Sequence, residues 1–133
     1  MTEKRQPKKS RRKPNSWRIS DKRILSLLHA GFIEVDLDTS EVWIDGKLQN
    51  PTIMGNDKVN GTRHRIEIWY GGRRRTIVLS RLIYLAATRQ PIPQQHEIHH
   101  IDGNRKNDVW SNIICLSVAD HQKMHSNSAD IPF

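Results

Sequence analysis

At 133 residues, with 22 Lys and Arg against 14 Asp and Glu and a formal net charge of +8, the chain has room for one compact domain with tails and too little for two ordinary cores. The excess of base points to a polyanionic partner, nucleic acid ahead of an anionic membrane. No apolar run nears bilayer-spanning length and no signal peptide opens the chain, so the expectation is a soluble, cytoplasmic, non-exported protein. The lone cysteine, Cys115, excludes an internal disulfide and an intrachain thiolate zinc knuckle, which leaves nitrogen and oxygen as the ligands for any metal.

In chain order, residues 1–17 hold Lys4, Arg5, Lys8, Lys9, Arg11, Arg12 and Lys13 against the single acid Glu3, with Pro7 and Pro14 interrupting any helix. This is a disordered basic arm suited to non-specific phosphate contact. Ser20 as N-cap, Ile24, Leu27 and Leu28 at helical spacing and Gly31 as a stop predict a short helix over about 21–30. Ile33, Val35 and Leu37 then alternate with polar residues, Asp38-Thr39-Ser40 can turn, and Val42 and Ile44 alternate again, which predicts a hairpin. The stretch from Leu48 to Gly61 is rich in turn formers and is expected to be loop. A second hairpin follows, with Ile66 and Ile68 alternating, a Gly71-Gly72 turn and a return strand from Thr76 to Leu79. Arg73, Arg74 and Arg75 sit just past its turn, either as an exposed strand start or as a phosphate clamp on the face of the active site. Ser80 is the expected cap of a helix carrying Leu82, Ile83 and Ala86 that ends before Pro91 and Pro93.

The informative stretch is EIHHIDGNRKNDVWSNIICLSVADHQKMH, from Glu97 to His125. Glu97 to Ile101 is a short strand carrying His99 and His100, Asp102-Gly103-Asn104 is a tight turn, and a polar loop leads to a second apolar strand from Ile113 to Leu116. Ser117 with Asp120 three positions on predicts a helix start near Val118. His121 and His125 lie one turn apart on that helix, so they can converge on one ion. His99 and His100, adjacent on a strand, point to opposite faces and cannot both reach it, so one can be a ligand and the other free for proton transfer. A neutral imidazole to activate water and a cation to neutralise a phosphate are what phosphodiester hydrolysis requires.

With those residues in place, the segment resembles the HNH endonucleases, whose ββα-metal motif runs His-His, then Asn, then a helical His-x-x-x-His, and within them the phage and homing-endonuclease branch. The resemblance implies that His99, His121 and His125 bind one divalent metal ion (Mg, Mn, Zn or Ni), that His100 is the general base and that Asn112 holds the loop and orients the base. It also implies hydrolysis of DNA to 5'-phosphate ends, in a bacterial or phage-infected cell. Asp102, Gly103 and Asn107 match the recurrent turn and loop residues. Asp108 stands where a second Asn is frequent and Asp120 where Glu is frequent, and neither change removes a catalytic group. Arg73, Arg74, Arg75, Arg105 and Lys106 are the candidate DNA contacts.

The expected architecture is a small α+β single domain with β-hairpins and short helices ending in the ββα-metal motif. It divides into an arm at 1–17, an N-terminal α+β part at 18–94 with DNA contacts, the motif at 95–126 and a tail at 127–133. Two other functions fit the same features: a non-catalytic, metal-stabilised DNA-binding or packaging accessory protein, and an RNA-directed nuclease or toxin. His96, ahead of the expected strand, and His29 and His64, which stand alone in the sequence, receive no role. Trp110 and Cys115 are read as core, and Trp69 as a residue that can pack or stack on bases.

Overall fold

The computed structural model describes residues 18–54 and 63–120. The basic arm, residues 55–62 with the second half of the turn-rich stretch, and the segment bearing His121 and His125 lie outside them.

Helix α1 (Asp21–His29) begins where Ser20 Oγ accepts the Arg23 amide at 3.2 Å, and Gly31, at φ +82°, turns the chain out of it. Its buried Ile24 and Leu28 are four positions apart on one face. The first hairpin pairs β1 (Ile33–Val35) with β2 (Val42–Ile44), Ile33 opposite Ile44 and Val35 opposite Val42, so the apolar alternation faces the core. Leu37 falls in the turn beyond β1. Strand residues interrupt the stretch from Leu48 to Gly61, expected to be loop: β3 (Lys47–Leu48) extends the first sheet beside β2, and β4 (Thr52–Met54) pairs with β5 (Arg63–Tyr70). Turn formers crowd this stretch, yet two or three residues that borrow an existing sheet edge need no strand propensity of their own.

Strands β5 (Arg63–Tyr70) and β6 (Arg73–Val78) form the long hairpin, joined at Gly71 and Gly72, both at positive φ. Ile66, Ile68 and Ile77 face inward while Glu67 and Trp69 face solvent. Helix α2 (Leu79–Thr88) follows β6 without a break, so Leu79 is its first residue rather than a strand end. Its N-cap is Val78, with no side-chain cap bond, and Ser80 lies buried in the first turn. No non-helical residue separates strand from helix, so Ser80 cannot occupy the cap position. Arg89 closes the helix in the left-handed conformation at φ 57°.

Leu82, Ile83 and Leu85 of α2 are completely buried, each contributing roughly 1.5–3 kcal/mol by transfer from water. α2 is the shared floor: it contacts α1, β1, β5, β6 and both strands of the last hairpin. Asp21 of α1 ties the first turn of α2 to the segment beyond that helix, accepting from Arg81 Nε at 2.7 Å and from the Ile92 amide at 3.0 Å. The last hairpin pairs β7 (His96–His100) with β8 (Ile113–Ser117) in antiparallel register, His100 opposite Ile113 and His96 opposite Ser117. The architecture is α+β, with two three-stranded sheets and one two-stranded sheet among the described residues. Among the described residues, no helix is long and apolar enough to cross a membrane.

Candidate active site

Because β7 alternates, His96, Ile98 and His100 take one face and Glu97 and His99 the other. Ile98 packs on the core and His100 is buried at 5% exposure, whereas His99 is only half-buried. The strand thus separates the two histidines as their adjacency requires. His96 is the first residue of β7 rather than a residue ahead of it, half-buried, with Nδ1 2.9 Å from the Gln94 carbonyl.

The loop from 101 to 112 is built on Asp102. Its amide donates to Asn112 Oδ1 at 3.1 Å, its Oδ1 accepts the Asn104 amide at 2.8 Å and Asn112 Nδ2 at 2.9 Å, and its Oδ2 accepts Asn107 Nδ2 at 2.9 Å. Asn112 Nδ2 also reaches the Asn107 carbonyl at 2.9 Å. These bonds hold the Asp102 carboxyl below the usual carboxylate range, the Asn107 amide first, then the Asn104 backbone and the Asn112 side chain. Buried Asn112 is therefore the brace that returns the chain from β7 to β8. Gly103, at φ +78°, makes the turn possible. At the far end of β8, Ser117 Oγ accepts the Asp120 amide at 3.0 Å, the N-cap bond expected for the helix that starts at Val118.

His100 is not left free within its burial. Its Nε2 lies 2.8 Å from Asp108 Oδ1, and the other carboxylate oxygen lies 3.2 Å from His64 Nδ1. Sequence spacing assigns neither partner to His100. Asp108 lies eight residues beyond His100 in a loop, and His64, 36 residues before it, comes from β5. No periodicity within one element links residues that only the tertiary fold brings together.

A cleft of about 170 Å³ lies against β7, lined by Arg63, Glu97, Ile98, His99, His100, Gly103 and Arg105. Arg63 is exposed as a residue, but its guanidinium lies against the cleft, where partial burial first and then the charge of Arg105 lower its pKa, with Glu97 acting in the opposite sense. Two guanidiniums and the Glu97 carboxylate thus share one polar cleft, where the cationic edge can receive a further anion. Of the candidate DNA contacts, Arg105 reaches this cleft. Lys106 faces a separate cavity of about 400 Å³ on the side of Ser40, His64 and Asp108. Arg73, Arg74 and Arg75 stand at the opposite end of the β5–β6 hairpin from Arg63, about 20 Å away by strand rise. There Arg74 is 3.6 Å from Glu67, and Arg75 donates to the Tyr70 carbonyl at 3.0 Å. Trp69 is 67% exposed at this distal end, Trp110 packs against Tyr84 with ring centroids 6.2 Å apart, and Cys115 is half-buried rather than fully buried.

For a metal ion, the described residues contain no group of three or more His, Cys, Asp and Glu able to hold one. His99 presents one imidazole beside the cleft. His121 and His125, the other expected ligands, lie outside the described residues.

Residues 79–123 match the family model described as HNH endonuclease, a span running from the first residue of α2 through β7, the loop and β8. Intron-associated endonuclease 3 of Enterobacteria phage RB3 is 42% identical over 45 residues, which are 30% of this chain and 17% of that protein. Among solved structures, the chain is similar to the HNH homing endonuclease I-HmuI, from a study of its DNA binding and cleavage, with a TM-score of 0.59 and 23% identity over 77% of this chain and 56% of that one. That second likeness is one of fold, and at 77% of this chain it extends beyond the motif. The chain thus spans a small fraction of the phage relative and little more than half of the structural one. With the His-His strand, the Asn-braced loop and the capped helix start in register, residues 79–123 carry the HNH endonuclease motif, similar in sequence to a phage intron-associated endonuclease and in fold to an HNH homing endonuclease.

Proposed function

We propose that the protein is a metal-dependent endonuclease that hydrolyses DNA phosphodiester bonds, with His100 as general base. The observation that carries this reading is the split across β7. His100 is buried and its ring nitrogen Nε2 is engaged, while His99, on the opposite face, borders a cleft with Arg63 and Arg105. A purely structural metal site would have no use for a second, oriented imidazole beside its ligand.

In this reading Arg63 and Arg105 receive the non-bridging oxygens of the scissile phosphate and set it against the β7 edge. His100 takes a proton from water through Nδ1, the nitrogen left available when Nε2 faces Asp108. The resulting hydroxide attacks phosphorus in line, the bond to the 3' oxygen breaks and a 5'-phosphate remains. Asn112 keeps the loop closed beneath β7 through its bonds to Asp102 and Asn107. His99, with His121 and His125, would hold one divalent ion, for which neutral imidazoles are suitable donors. The ion supplies charge neutralisation at the phosphate and the departing oxygen.

The test is conversion of supercoiled plasmid by wild type and His100→Ala with Mg, Mn, Ni or Zn added singly, run beside single-stranded DNA and RNA. Cleavage of duplex DNA by wild type and its loss in His100→Ala is the expected result. Duplex binding without conversion under any metal would instead identify a non-catalytic DNA-binding protein, and preferential RNA cleavage an RNA-directed nuclease.

A further inference from the structure

Asp108 is buried, with 3% of its side chain exposed, and each of its carboxylate oxygens meets a different histidine. His100 Nε2 is 2.8 Å from Oδ1, and His64 Nδ1 is 3.2 Å from Oδ2. The backbone of Asp108 is held as well, its carbonyl accepting Ser40 Oγ at 3.0 Å from the turn between β1 and β2. Three regions remote in sequence therefore converge on this residue. A buried carboxylate without such partners would carry a large desolvation penalty.

We propose that Asp108 is the positioning residue of the His100 base and that His64 is the anchor that holds Asp108 in place. The proposal rests on the reading of His100 as the base. An ionised carboxylate only accepts, so the 2.8 Å contact requires a proton on His100 Nε2. That fixes the tautomer in which Nδ1 carries the lone pair and fixes the ring plane about the strand. When Nδ1 takes the water proton, the imidazolium is stabilised by the adjacent carboxylate. The Nε2 proton stays where it is, and the acquired proton leaves later from Nδ1 to solvent or to the leaving oxygen. Asp108 acts through the base and not on the reacting atoms, as in the base–orienter logic of acyl hydrolases. His64 donates from Nδ1 to Oδ2 and removes the freedom of the carboxylate to rotate away. A residue of the long β5–β6 hairpin thus acts in the chemistry of a motif that begins more than a dozen residues later in the chain.

The experiment has two arms on the full-length protein. In the first, the nicking kinetics of Asp108→Asn, Asp108→Ala, His64→Ala and His64→Gln are compared with wild type and His100→Ala. The expected result is a drop in kcat of about 10- to 100-fold for the Asp108 variants with KM little changed. His64→Ala falls less, and His64→Gln, which restores an N–H donor, recovers part of the loss. In the second arm, imidazole ¹⁵N shifts report the His100 tautomer independently of activity. Protonated Nε2 is expected in wild type, with a mixed or Nδ1-protonated form in Asp108→Ala. Asp108→Ala that melts like wild type and retains kcat within twofold would overturn the proposal, as would an unprotonated His100 Nε2 in wild type. If Asp108→Ala fails to fold, Asp108→Asn and His64→Ala decide by the same measures. Full activity in His100→Ala would remove the base assignment, and the tautomer arm would still judge the anchoring of the ring.

Discussion

The two faces of β7 differ in nearly every physical respect although their histidines are neighbours in sequence. On the inner face, His100 is locked by a buried carboxylate, and Ile98 beside it packs on the core. On the outer face, half-buried His99 and exposed Glu97 border a cleft edged by two guanidiniums. One face offers a fixed proton acceptor that also reaches the rim of the cleft, the other an accessible donor atom amid strong charge. A single strand segregates the two chemistries at a separation of one residue, which a helix turn or a loop would not do so reliably.

Substituting each histidine alone should expose that division. His100→Ala is expected to lower cleavage on the order of 10³-fold at saturating metal, with DNA affinity kept, since loss of a general base removes a transition-state interaction only. His99→Ala should behave differently: activity falls at low metal and returns in part as the ion is raised, with an apparent metal affinity weakened by at least the 10–100-fold typical of outer-shell losses. A metal titration of plasmid cleavage checks both. The comparison breaks if His100→Ala is the variant rescued by metal.

A smaller effect separates the cationic cleft from the distal hairpin end. Arg63→Ala should raise KM for DNA about tenfold through loss of a charge-assisted phosphate contact and reduce the salt slope of binding by about one. Arg74→Ala, at an exposed position already beside Glu67, should change binding only about two- to threefold. Equal losses at both positions would mean that the DNA lies along the whole hairpin, and that the cleft does not dominate phosphate contact.

Much of the motif is legible in the sequence because its signals are local. The strand bearing His99 and His100, the turn at Gly103, the apolar β8 and the cap at Ser117 each rest on residues within about five positions of one another. The α1 cap and the β1–β2 hairpin are readable for the same reason. The misreadings share the opposite property. Strands β3 and β4 exist by pairing with edges formed elsewhere, and Ser80 lost the cap position because β6 runs straight into α2. His64 and Arg63 looked unremarkable because their partners lie more than 30 residues away. Asp108 was visible only as a departure from the frequent Asn, and its burial between two imidazoles is a property of the assembled fold.

The subtlest expected effect concerns the loop that connects the two strands. The Asp102 carboxyl is held below its ordinary value of 3.8 by bonds from Asn107, then Asn104 and Asn112. A folded-state pKa below the unfolded one means that these bonds stabilise the loop fully above about pH 4 and that the contribution disappears as pH falls through the lowered value. Carbon-13 titration of the Asp102 carboxyl should therefore show a midpoint below 3.8. Asn107→Ala should move it upward more than Asn112→Ala does, because the Asn107 bond is the largest cause. Since the carboxyl is exposed, solvent competes for the same oxygens, and activity near neutral pH should not depend on this titration. A midpoint at or above the ordinary value would show that the loop is held from the buried Asn112 side alone, and the inner face of β7 would then owe its rigidity to Asp108 more than to the turn.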